Sequence, residues 1–261
     1  MEYVVVSAVA FVMSGVTLFS GFGLGTVLMP TFALFFPVPV AIAATAVVHL
    51  ANNGFKLVLI GRQADWTVVR RFGVAAAVAA LAGAGMLSLF ASLPAVVAYR
   101  LGGREFQVTA VKAVIGALIV VFAWLEASRR FERLTVSPRH LVAGGMLSGF
   151  FGGLSGNQGA FRSAFLIQAG LDKRAFIGTS VVCAVVVDVV RLAVYGLSFL
   201  GLQGLVLAAD LVGVVVAATA SAFLGAWIGA RVLEQVALRG VRVAVATMLI
   251  LVGAGLLTGV L

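Results

Sequence analysis

The stretch "ATAVVHLANNGFKLVLIG" places His49, Asn52, Asn53 and Lys56 at i, i+3, i+4 and i+7, with Thr45 one turn earlier. On a helix all of these lie on one face. Such a row of polar groups inside an apolar run is costly in lipid and belongs against protein or water. Its chemistry is that of hydrogen-bond donors and one cation, which suits holding an anion. The alternative is a seam that glues helices together, with Lys56 snorkelling to the membrane edge. A second apolar run carries Ser180, Asp188, Arg191 and Tyr195 near one face. There Asp188 and Arg191 can form an i, i+3 ion pair, or Arg191 can reach a substrate. Between the two runs, "GLSGNQGAFRSAFLIQ" offers Ser155, Asn157 and Gln158 at a glycine-rich break, with Arg162 one turn further. The guanidinium fork matches an oxyanion, so Arg162 is the leading anion ligand. The alternative is that it fastens the break by bonding backbone carbonyls.

None of these groups makes a catalytic constellation. "GFGLG" lacks the strand–helix frame of a dinucleotide site, and no metalloprotease motif or nucleophile elbow is present. Two histidines and nine acidic residues supply no evident acid–base pair. The single Cys183 excludes a disulfide and a thiol metal pair. The expectation is therefore a non-enzyme without cofactor or metal.

The surroundings point to a membrane. The chain is 62% hydrophobic and 10% charged, with a mean hydropathy of +1.18, far from a soluble domain. Its +9 net charge is not a nucleic-acid footprint, because Lys and Arg sit in short segments between apolar runs. Glu2 stands where a signal peptide would be basic, so Met1 onward is read as part of the working protein. Apolar segments fall near 2–19, 25–37, 39–60, 72–92, 106–124, 140–152, 159–170, 174–198, 204–230 and 240–260. Asp210 and Lys112 are further ionisable residues within them, each readable as a helix-end anchor, with Asp210 also a candidate for proton coupling. Ser221, Gly225 and Gly229 recur every four residues, a spacing that favours close packing of helices within the fold.

The longest polar segment, "EASRRFERLTVSPRH", divides the chain into halves of similar length. Laying Gly25 over Gly159 and Thr45 over Thr179 aligns the glycine-rich "GFGLG" with "SGNQG". Paired interrupted segments at matching positions mark inverted-repeat transporters. Charge decides how each interrupted segment runs. If each crosses the bilayer, the loop Lys and Arg divide evenly. If each returns to the side it entered, one side collects Arg62, Arg70, Arg71, Arg129, Arg130, Arg133, Arg139, Lys173, Arg174, Arg231, Arg239 and Arg242. The other keeps Arg100 and Arg104. That asymmetry is what the positive-inside rule requires.

The expected fold is thus an all-α polytopic membrane protein of two inverted repeats, each a broken or re-entrant hairpin followed by three transmembrane helices. Residues 1–125 form the first repeat, with its hairpin at about 2–37. Residues 126–139 form a basic cytoplasmic linker. Residues 140–261 form the second repeat, with its hairpin at about 140–170. Gly21, Gly23 and Gly25 in the first break, and Gly159 in the second, let backbone N–H groups approach a ligand. The short helices after them aim positive N-terminal ends at it.

The glycine-rich "SGFGLGTVLMP", "ATAVVHLANNGFKL" and "GGLSGNQGAFRSAFL" resemble the TauE/SafE sulfite exporter family, also called the toluene-sulfonate uptake permeases. The similarity runs over essentially the whole chain. Leu24 and the polar "SGNQGAFR" depart from the family's plainer glycine run. The resemblance implies secondary transport of sulfite or an organosulfonate across a bacterial-type cytoplasmic membrane. The expected substrate site joins Gly21, Gly23, Gly25, His49, Asn52, Asn53, Lys56, Ser155, Asn157, Gln158, Gly159, Arg162 and Arg191, with Asp188 and Asp210 as candidates for coupling. Expected partners are a small sulfur-containing anion, the lipid bilayer and a coupling ion, H+ or Na+; a homo-oligomer is compatible, and nucleic acid is not expected. A passive anion channel with the same site is the alternative, and a membrane enzyme or a scaffold without flux is a more distant one.

The charge asymmetry makes a direct prediction. Reporters fused to the N-terminus and inserted within residues 129–136 should read out in opposite compartments. A shared compartment would overturn the hairpin topology.

Overall fold

The computed structural model describes residues 1–20, 24–128, 137–202, 209–232 and 238–261, with side chains at 17–20, 126–127, 138, 198–202, 209–210, 230–232 and 238–244 left aside. Gly21, Gly23, the linker positions 129–136 and the side chains of Asp210, Arg231, Arg239 and Arg242 therefore lie outside the described residues.

Helices dominate, and the second glycine-rich stretch interrupts them. Helix α1 (Glu2–Ser20) is followed by the short α2 (Leu24–Ala33), whose Pro30 removes one i−4 bond. A turn through Pro37 leads to α3 (Val38–Ile60), which carries proline in its first turn, where no intrahelical N–H is needed. Asp65 then caps α4 (Trp66–Ser92), its carboxylate accepting from the N–H of Thr67 at 2.8 Å and of Val68 at 3.0 Å. The first turns of α4 include a π-helical segment, Val69–Gly73. After α5 (Ala110–Ala127) the order repeats. Helix α6 (Leu141–Ser155) ends on left-handed Gly156 (φ +83°), and the short α7 (Gly159–Leu166) follows. Then come α8 (Lys173–Leu202), α9 (Ala209–Val232) and α10 (Leu238–Thr258).

One element departs from the all-helical expectation. Strands β1 (Ala95–Leu101) and β2 (Arg104–Thr109) pair antiparallel, with Leu101 opposite Arg104. Gly102 and Gly103, at φ +59° and +79°, make the two-residue turn that matches strand twist. Residues 106–109, read as the start of an apolar helix, belong to this hairpin instead. "AVVAYRL" and "REFQVT" hold the β-branched and aromatic residues that favour strands, a signal hidden by hydropathy alone.

Among the described residues, four helical stretches are long and apolar enough to cross a bilayer: Val38–Gln63, Trp66–Ser92, Lys173–Leu197 and Leu211–Gly229. Ala110–Leu125 and Val245–Thr258 are apolar but shorter in the described residues. The chain is an all-α type of membrane protein that also carries a small β-hairpin.

Helix pairing rests on glycine, because lipid gives helices no hydrophobic reason to associate and close backbone approach must supply it. Helices α6 and α4 run in step: β-carbons added to Gly145, Gly149 and Gly153 would meet the carbonyl oxygens of Phe72, Ala76 and Ala80 at 2.3, 2.0 and 2.3 Å. Helices α1 and α9 do likewise, with Gly213 against Tyr3, Gly225 against the Phe11 carbonyl and Gly229 against Gly15. The small-residue spacing on α9 thus packs within the fold, as its sequence suggested. Gly116 and Gly253 bring α5 against α10, and α3 packs on α8 at the centre. Three apolar clusters fill the remaining space, one of them joining α1, α2, α3 and α9 through Ala10, Leu28, Ala44 and Ala218.

At Gly149 any side chain collides with backbone that cannot yield. Gly149→Val should lower stability by about 1–3 kcal/mol, the usual cost of overpacking, seen as a reduced melting temperature in detergent. Gly85→Ala, at a position with open space within 4 Å, should leave melting unchanged. Equal melting of the two variants would remove glycine contact as the basis of the α4–α6 pair.

Candidate functional site

The two breaks meet at the centre of the fold. A β-carbon on Gly25, at the start of α2, would sit 3.2 Å from the Gly156 carbonyl oxygen and 3.6 Å from the His49 ring. One on Gly156 would sit 2.8 Å from an Arg191 guanidinium nitrogen. Gly156 needs glycine for its positive φ, and Gly25 leaves little room for a side chain between break and ring. These contacts carry the sequence's two glycine-rich interruptions into one site.

Asp188 is its hub. The carboxylate is fully buried and accepts from both halves of the chain. Its Oδ2 lies 2.7 Å from His49 Nδ1 and accepts from Asn53 Nδ2 at 3.1 Å. Its Oδ1 accepts from Gln158 Nε2 at 3.0 Å and pairs with Arg191 at 2.9 Å. Asn53 Nδ2 also lies 3.0 Å from His49 Nδ1. Arg191 continues to the Gly152 carbonyl at 3.4 Å, and the Tyr195 hydroxyl donates to the Gly153 carbonyl. Thus α8 holds the last turn of α6, and with it the break. The Asp188–Arg191 ion pair weighed from spacing is present, and it is tied into α3.

Arg162 lies one turn into α7, 5% exposed, and donates from Nε to Ser180 Oγ of α8 at 2.8 Å. Lys56 is buried one turn beyond Asn52 and Asn53, within electrostatic reach of Arg162. Among the described residues this interior therefore sets Lys56, Arg162 and Arg191 against the single carboxylate of Asp188. The cluster is rich in basic side chains.

Its polar atoms are short of partners. Both amide atoms of Asn157, 2% exposed, lack a hydrogen bond, as do Asn52 Nδ2, Gln158 Oε1, Thr45 Oγ1 and Ser163 Oγ. Buried polar groups are ordinarily satisfied, so this concentration at one break points to a ligand or water. No side chain caps α7 at Gln158, leaving its first-turn N–H groups without intrahelical partners. Together these give the second break a buried, donor-rich and basic surrounding.

Several residues take structural roles. Ser155 Oγ bonds back to the Phe151 carbonyl at 3.1 Å, and Gly159 opens α7. Asn52 accepts from Ser14 Oγ of α1 at 2.9 Å, while Ser148 Oγ donates to the Gln158 carbonyl at 2.9 Å and fixes the break. Lys112 is a helix-end anchor, its Nζ donating to the Gln107 carbonyl at 3.2 Å. Ser14, Ser148 and Ser163 were not singled out from the sequence. Serine among glycines and alanines reads as packing; what distinguishes these three is tertiary, the bond from Ser14 to Asn52, the bond from Ser148 to the break, and the buried, unpartnered hydroxyl of Ser163.

A family model described as Sulfite exporter TauE/SafE matches residues 6–256 of the chain. Comparison with curated proteins and with solved structures gave no match.

The hub predicts a large asymmetry between two ion pairs. Removing one member of a buried pair typically costs about 3–5 kcal/mol because the other charges stay buried. Asp188→Asn should therefore lower the melting temperature markedly. Glu105→Gln, which breaks the exposed Arg100–Glu105 pair, should leave it unchanged. Wild-type melting of the Asp188 variant would show that Asp188 does not hold the halves together.

Proposed function

This chain belongs to the TauE/SafE sulfite exporter family, and we propose that it is a secondary transporter moving a small oxyanion by alternating access. The substrate class we propose is sulfite or an organosulfonate, in keeping with the family name. The observation that carries the reading is the buried polar atoms of Asn52 and Asn157 that lack a hydrogen bond, in an interior that also holds Lys56, Arg162 and Arg191. A bound anion would supply acceptors for the unpartnered amide N–H groups. Arg162 would grip its oxygens through the guanidinium fork. The N-terminus of α7 would add N–H groups and a positive dipole end. Gly25 would close the site from the first break, with His49, Asn53, Gln158 and Gly159 shaping it.

The architecture we propose is two inverted repeats, residues 1–125 and 140–261, each a re-entrant hairpin and three crossing helices. Helix pairing supports this reading. Exchanging α1–α5 for α6–α10 turns the α1–α9 pair into α6–α4 and the α3–α9 contact into α8–α4. It maps α5–α10 and α3–α8 onto themselves. Levels along the helices support it too. Gly25 lies beside His49, midway along α3, and Thr179, near the start of α8, bonds to the N–H of Asp65 at 2.9 Å. Each short helix thus starts at mid-depth and leads to one end of the bundle, α2 and α7 to opposite ends. The basic segments around Arg62, Arg70, Arg71, Lys173 and Arg174 share the end that we assign to the cytoplasm. The termini then lie on the non-cytoplasmic side of an inner membrane.

In this mechanism the Asp188 hub holds the site when substrate is absent. An arriving anion competes with the carboxylate for Arg191, loosening the ties from Asp188 to His49, Asn53 and Gln158. The two repeats can then rock about the site. Asp188, next to His49, is the leading candidate for an H+ or Na+ coupling step, with Asp210 second.

Thermal-shift titration of the purified protein tests the site. Stabilisation follows occupancy and should rank sulfite or sulfonates above acetate. Arg162→Ala should weaken that binding more than tenfold, over about 1.4 kcal/mol, and Arg162→Lys should recover only part. Unchanged affinity would remove Arg162 from the site. In liposomes, saturable counterflow supports the carrier, whereas ohmic current in a planar bilayer would favour a passive channel.

A further inference from the structure

A second binding feature lies on the outer face of the bundle, away from the central site. Beside their glycine contact, helices α4 and α6 border an open groove of about 890 Å³. On the α4 side it is lined by Ala75, Ala79 and Ala82, whose small side chains make room. On the α6 side stand Met146, Leu147 and Phe150. Apart from Arg70 and Arg71, every lining residue is apolar. Both arginines are exposed and sit together at one end, in the π-helical turn at the start of α4. Trp66, 59% exposed, lies one turn before them, where an amphipathic ring suits a membrane–water boundary.

Length and charge identify the occupant. From Arg70 to Ala82 the helix rises about 18 Å at 1.5 Å per residue. One leaflet of the hydrocarbon core is about 15 Å thick, half of the whole. The groove therefore extends from the headgroup level, marked by Trp66 and two cations, to about the bilayer midplane. A peptide or soluble ligand has no reason to match that span. A phospholipid does, with an acyl chain along the alanines and its phosphate between the guanidinium groups, as basic pockets between membrane helices hold anionic headgroups.

We propose that the α4–α6 groove is a binding site for one anionic phospholipid, its headgroup held by Arg70 and Arg71. The inference rests on the bilayer-spanning reading of α4 and is independent of the transported substrate. The lipid would lie along the helix pair whose far end, Ser155 and Gly156, forms the second break. It would thereby brace the rear of the substrate site.

Native mass spectrometry of the full chain, released from detergent with added dioleoyl phosphatidylglycerol, phosphatidylcholine or inorganic phosphate, tests this. The wild type should retain one phosphatidylglycerol at least fivefold more than phosphatidylcholine, and no phosphate. The double variant Arg70→Gln/Arg71→Gln should lose that preference. Ala79→Phe, which fills the groove, should reduce retention of both lipids. If Ala79→Phe fails to fold, the charge variant alone decides the matter. Equal retention of the two lipids, or retention insensitive to the arginines, would overturn the proposal. So would a lipid-free wild-type dimer that Ala79→Phe splits, since a second copy would then cover the groove. Sulfite binding measured on the same variants separates this outcome from any failure of the transport reading.

Discussion

A carboxylate buried among cations, in a region where water cannot be relied upon, constrains the rest of this protein. Asp188 can remain there because each oxygen has two partners: His49 and Asn53 of α3 for one, and Gln158 of the second break and Arg191 of its own helix for the other. Remove the partners and the desolvation cost of the charge dominates. The hub therefore needs α3, α8 and the second break at fixed mutual positions. That requirement explains why α3 and α8 pack at the centre while the other helices surround them.

Glycine is what permits those positions. A broken helix at membrane depth survives only where protein covers its loose backbone groups. Covering them means bringing neighbouring helices almost to backbone contact. On α6 three glycines press against α4, and on α9 three press against α1, Gly225 and Gly229 of them against its backbone. Each interrupted segment is thus clamped by a helix of the other half. The glycines inside the breaks and those along the clamping helices serve one purpose, the first making the interruption and the second sealing it.

Such an arrangement is rigid within each clamp and held by polar contacts between clamps. Packed small-residue interfaces deform little, whereas a hydrogen-bonded hub can exchange one acceptor for another at small net cost. In the transport reading, the moving boundary lies where Asp188 and the substrate compete for the same donors. The groove outside α4 and α6 belongs to the rigid part. Its proposed lipid would stiffen a clamp, not enter the exchange.

Residue types and spacing alone determined the membrane class, the two interruptions, and the polar faces of α3 and α8. Each of these is a one-dimensional property: a hydropathy run, a glycine cluster, a 3.6-residue period. The β-hairpin was legible in principle through its paired glycines and β-branched residues, but hydropathy absorbed it into a helix. What only tertiary structure decided is which polar groups spend their bonds on the fold. Periodicity placed His49, Asn52 and Asn53 on one face, yet Asn52 turns to Ser14 while the other two turn to Asp188. Asn157 was one donor among several in the break, and it is distinguished by having neither amide atom bonded. A side chain's partner depends on which helix lies opposite and at what depth. That is set by long-range packing, which no local pattern encodes.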